Sequence, residues 1–95
     1  MSTNDFREQI LIGFWHDLKT HADRDAVIVV DLNLDLSDVA DQIIRDQLAL
    51  VQGWVEQSQI GKPSPEQLLA WSEMPTKEFR FVIVQPYVLI QEMEH

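Results

Sequence analysis

Five aspartates, Asp31, Asp35, Asp38, Asp41 and Asp46, fall within sixteen residues. Carboxylates gathered at a strand end and the start of the next helix are the donors that a hard cation such as Mg²⁺ takes. Asp31 and Asp35 are the candidate metal ligands. A calcium loop of the EF-hand kind needs a central glycine and a closing glutamate at fixed spacing, and both are missing. Turn and helix-start chemistry accounts for Asp35 and Asp38 without a metal, and Asp41 falls on a polar helix face. The histidines are His16, His21 and His95. On one helix, His16 and His21 stand about 140° apart, whereas a metal pair wants i, i+4 spacing on one face. The hydroxyls sit in no G-x-S-x-G elbow. Gly61-Lys62-Pro63-Ser64 echoes a phosphate loop, but the first glycine is absent and Pro63 removes a needed amide. No catalytic set and no cofactor-binding set is legible.

The surroundings narrow the options further. The chain has 95 residues, the size of one domain, and residues 1–95 read as a single unit. It carries 16 acidic and 7 basic residues, a formal charge of −9. The basic residues Arg7, Lys19, Arg24, Arg45, Lys62, Lys77 and Arg80 are scattered, so neither nucleic acid nor an anionic membrane surface is an expected partner. There is no cysteine, which excludes disulfides and Cys-type metal sites. No signal-type or membrane-length apolar run is present, and the cytoplasm is the expected location.

Hydrophobic spacing predicts an α/β chain bordering on α+β, in the order helix, strand, helix, helix, long bent strand. The first helix covers 4–22, capped by Thr3 or Asn4 and including Gly13. Ala26 to Val30 is an unbroken apolar run, as in a strand covered on both faces. Ser37 is the expected N-cap of a second helix reaching about Gln57. Ser64-Pro65-Glu66-Gln67 is a capping box with proline at the first helical position, opening a helix to Trp71 or Ser72. Glu78 to Glu92 is apolar apart from Gln85-Pro86. Gln-Pro suits a primed two-residue turn poorly, which favours one bent strand over a hairpin. Gln47 and Gln85 are the expected buried amides.

Three segments taken together resemble a known family. They are Val30-Asp31-Leu32-Asn33-Leu34-Asp35-Leu36 with Val39-Ala40; Ile60 to Gln67 with Trp71; and Phe81-Val82-Ile83-Val84-Gln85-Pro86-Tyr87-Val88-Leu89-Ile90-Gln91. The chain resembles a family of small bacterial proteins classed as a domain of unknown function. That resemblance implies a bacterial cytoplasmic protein and supplies no catalytic residue. Two wide-arc helices and two apolar strands are hard to cover within one short chain. The expectation is therefore a non-enzymatic homodimeric interaction or regulatory module, with Trp54, Gln85, Pro86 and Tyr87 as interface candidates. The alternative is a small metal-assisted enzyme or ligand-binding protein with its carboxylate site at the end of the first strand.

Overall fold

A computed structural model describes residues 8–93. The elements run β1 (Leu11–Phe14), α1 (Trp15–Asp23), β2 (Val27–Val30), α2 (Leu36–Ile44), α3 (Leu48–Glu56), β3 (Ile60–Gly61), α4 (Pro65–Ser72), β4 (Glu78–Val84) and β5 (Tyr87–Glu92). The five strands form one mixed sheet in the order β1-β4-β5-β2-β3. Only β2 and β5 run parallel, joined through the intervening helices and strands. The predicted helix caps at Thr3 and Asn4, together with Arg7 and His95, lie outside the described residues.

Strand side chains alternate between faces, so one sheet feeds two cores. Val27, Val88, Ile90 and Phe79 meet Trp15 and Leu18 of α1 and Trp71 of α4. Val30, Val82, Val84 and Leu89 meet Leu36, Val39 and Ala40 of α2 on the other side, with Val51 and Trp54 of α3 packed against them. The unbroken apolar run of β2 thus has the two-sided cover its composition requires. Aromatic rings fill the first core. Trp71 lies 5.0 Å from Trp15 and 4.9 Å, edge-on, from Phe79 between ring centroids.

Several expectations are corrected. The first predicted helix is two elements, because Leu11-Ile12-Gly13-Phe14 pairs antiparallel with Phe81-Arg80-Phe79-Glu78. Gly13 permits that pairing to pack, since a Cβ there would stand 2.9 Å from the Phe81 ring. Gly13→Val is expected to cost about 1–3 kcal/mol by overpacking, read as a lower urea midpoint; an unchanged midpoint would mean that the Phe81 ring yields freely.

The second predicted helix is also two. Asp46 takes φ 61° and breaks the chain between α2 and α3. Aspartate tolerates that left-handed conformation better than most residues. Asp35, not Ser37, caps α2, its carboxylate accepting the Ser37 N–H.

The bent strand is a hairpin. Val84 pairs with Tyr87, and Gln85-Pro86 with a cis peptide forms the two-residue turn, the arrangement of a type VI turn rather than a primed one. Finally, Gln47 and Gln85 are exposed, and Ile60–Gly61 forms a short strand, β3, beyond the strands the spacing predicts. By contrast, α4 opens as predicted: Ser64 Oγ accepts the Gln67 N–H while Gln67 Oε1 accepts the Ser64 N–H.

Candidate functional site

Parallel neighbours β2 and β5 end on the same side of the sheet, where ligands of open α/β sheets bind. The chain leaves β2 through Asp31-Leu32-Asn33-Leu34-Asp35. This loop is built from its own aspartates. Asp31 Oδ1 accepts the Asn33 N–H at 2.8 Å. Asp35 Oδ1 accepts from the Ser37 backbone at 3.0 Å and from its hydroxyl at 2.7 Å.

Gln91 fixes the loop to the sheet. It is 4% exposed, and its amide nitrogen donates to the Asp31 carbonyl at 2.9 Å and the Leu34 carbonyl at 2.8 Å. Both amide protons are thereby spent on one turn. Arg80 Nη1 stands 3.4 Å from Gln91 Oε1, on the next strand. A single side chain thus spans from the penultimate residue of β5 to both ends of the loop.

The loop divides the surface into two hollows. One, of about 530 Å³, opens between the loop and the α3–β3 turn and is lined by Asp31, Leu32, Ser58, Lys62, Gln67 and Glu92, among others. The other, of about 450 Å³, lies on the loop's far side, with Asn33, Asp35, Arg80 and Gln91. Asp31 and Asp35 therefore face different hollows, and the structure does not bring the two candidate ligands together. Among the described residues, no group of three or more His, Cys, Asp or Glu gathers as a metal cage.

Three polar groups of the larger hollow are engaged elsewhere in the fold. Lys62 pairs with Asp25. Lys77 Nζ lies 3.4 Å from a Glu92 carboxylate oxygen. Gln67 completes the α4 capping box. Ser58 lines the hollow without a histidine beside it. His16 is exposed, 3.3 Å from Asp17, and His21 accepts from Arg24 at 2.6 Å.

Of the interface candidates, Gln85, Pro86 and Tyr87 lie exposed at the hairpin tip, and Trp54 is half-buried on α3. Trp15 and Trp71 belong to the core. The residue missed from sequence is Gln91. Its signal was a glutamine closing the buried run Val88-Leu89-Ile90 on a strand flanked by two others.

Among the described residues this architecture is an α+β fold: four helices on a five-stranded mixed sheet, with a clamped loop at the carboxyl ends of the parallel pair. Residues 3–92 match the family described as protein of unknown function DUF2288, and the chain belongs to that family. It is similar to the NMR solution structure of PA1075 from Pseudomonas aeruginosa, with a TM-score of 0.83 and 25% identity. The alignment covers 96% of this chain and 83% of that one. No curated protein matches the chain. The family is described as being of unknown function.

Proposed function

We propose that this protein is a non-enzymatic homodimeric interaction module of the bacterial cytoplasm. One observation carries the proposal: among the described residues, six of the thirteen exposed large apolar side chains fall in two short segments free of charge. Helix α3 has no buried residue, exposes Leu48, Leu50 and Val55, and carries no charged group before Glu56. Residues 9–15 likewise hold no charged side chain, and Leu11, Ile12 and Phe14 are exposed there.

In a chain of net charge −9, self-association is opposed by long-range repulsion, and a neutral contact surface minimises it. Exposed apolar groups gathered in patches mark interaction surfaces more than scattered ones do. The central strands need no partner for their faces, since helices of the same chain cover both. Absence of cysteine fits a reducing compartment, and among the described residues no helix is long and apolar enough to cross a membrane.

Sedimentation velocity from micromolar to millimolar protein tests the proposal. A weight-average mass approaching twice that of the 11.0 kDa chain is expected at the upper end. A constant monomer mass over that range would refute it.

A further inference from the structure

We propose that the dimer forms by antiparallel pairing of β1 with β1 of a second copy, giving one continuous ten-stranded sheet across a two-fold axis. This rests on the homodimer proposed above and names its seam. Among the described residues β1 is an outer strand of the sheet. Every second residue of such a strand points its N–H and C=O away from the sheet, which is a template for another strand.

Natural edge strands are blunted by lysine, proline, inward charge or a bulge. None of these stands in Leu11-Ile12-Gly13-Phe14. Leu11 and Ile12 are each 57% exposed, although one points to each face of the sheet. An apolar strand bare on both faces is unusual for a monomer and ordinary for the middle of a sheet.

The occupant follows from charge and closure. No charged side chain lies between Gln9 and Trp15, so a second copy of this acidic chain brings no like charge onto the seam. The opposite edge, β3, is two residues long, with Ile60 buried, and offers little to pair with. Pairing β1 to β3 of another copy would also propagate head to tail, whereas β1 with β1 closes as a dimer. Continuity of faces fixes the register class. Residues opposite each other must share a face, so the axis passes through a residue rather than between two. Ile12 on the axis sets Leu11 against the partner's Gly13 and Ile10 against the partner's Phe14, and it uses the whole neutral segment.

The chain has no cysteine, so Ile12→Cys introduces a single thiol. Opposed residues of an antiparallel pair come within the Cα separation that a disulfide bridges. Mild oxidation of Ile12→Cys is expected to give a covalent dimer, while Leu50→Cys on α3 stays monomeric on a denaturing gel. Ile12→Lys places two like charges across the axis and is expected to weaken association at least about 10-fold by sedimentation, with its far-ultraviolet circular dichroism unchanged. A wild-type dimer that survives Ile12→Lys but dissociates in Leu48→Lys or Leu50→Lys would overturn the β1 seam and leave the homodimer standing. A wild-type chain that stays monomeric to millimolar concentration would overturn both.

Discussion

Trp71→Ala is expected to lower stability by about 3–5 kcal/mol, the range for truncating a buried tryptophan. For a domain of this size that corresponds to a fall in Tm of roughly 12–40 °C. Trp71 is the one buried residue of α4, so truncation removes the anchor of that whole helix. It also opens the aromatic cluster in which Trp15, Trp71 and Phe79 all meet. The comparison that isolates burial is Leu69→Ala, two residues away on the same helix. Leu69 is exposed, and its loss is expected to stay within about 0.5 kcal/mol. Urea unfolding followed by far-ultraviolet circular dichroism reads both. If Trp71→Ala fell no further than Leu69→Ala, α4 would not be docked through this ring.

How much of this core was legible follows from which physical signals are local. The Val27–Val30 strand and the Ser64–Gln67 cap were legible because each is specified by adjacent residues: an unbroken branched run, and a hydroxyl three residues ahead of an amide. The segment at Leu11–Phe14 was not. Ile10, Phe14 and Leu18 satisfy a helical period, and only pairing with β4, some sixty residues away, makes the segment a strand. A contact of that range leaves no mark in a short window. The α2–α3 break turns on Asp46 at positive φ, with no glycine or proline to announce it. The Gln85-Pro86 turn was discounted on the rule for primed turns, whereas a cis-proline turn is a separate family.

The candidate site was legible in position but not in construction. Sequence placed Asp31 and Asp35 at the end of the first strand, and that is where they lie. What it could not supply was the direction each carboxylate faces, which the loop's own hydrogen bonds determine. The buried amide was sought at Gln47 and Gln85 because one projected into an apolar helical arc and the other sat beside a proline. The arc ended when the helix broke, leaving Gln47 exposed at the start of α3. The hairpin put Gln85 at its tip. Burial of Gln91 depends on β5 lying between β4 and β2, a property of the assembled sheet.

Gln91 is therefore the position where one polar side chain has the largest expected effect. Gln91→Leu keeps the volume and removes both donors: the Asp31 carbonyl retains the Leu34 N–H, 3.0 Å away, while the Leu34 carbonyl loses the partner it has now. At about 1–3 kcal/mol for an unsatisfied group, the expected loss is about 1–3 kcal/mol, reduced to the extent that water reaches the loop. Amide exchange should locate the damage. Protection is expected to fall first in Asp31–Ser37, whose fold the clamp holds, before it falls in β4. Gln91→Glu separates hydrogen bonding from shape. An ionised carboxylate in that position faces two carbonyl oxygens and donates nothing, so burial and repulsion raise its folded-state pKa above the ordinary glutamate range, outweighing the attraction of the exposed Arg80 guanidinium 3.4 Å away. The folded variant then binds more protons than the unfolded chain, and its stability falls as pH rises through that folded pKa. Relative to wild type, the deficit is expected to be largest at neutral pH. It shrinks as pH falls below the folded pKa, where the protonated carboxyl regains one donor. Gln91→Leu has no such group, and its deficit should not follow pH. No deficit in Gln91→Leu, and none that varies between pH 4 and pH 8 in Gln91→Glu, would show that Gln91 acts through volume alone, and that the loop at the end of β2 keeps its shape without the clamp.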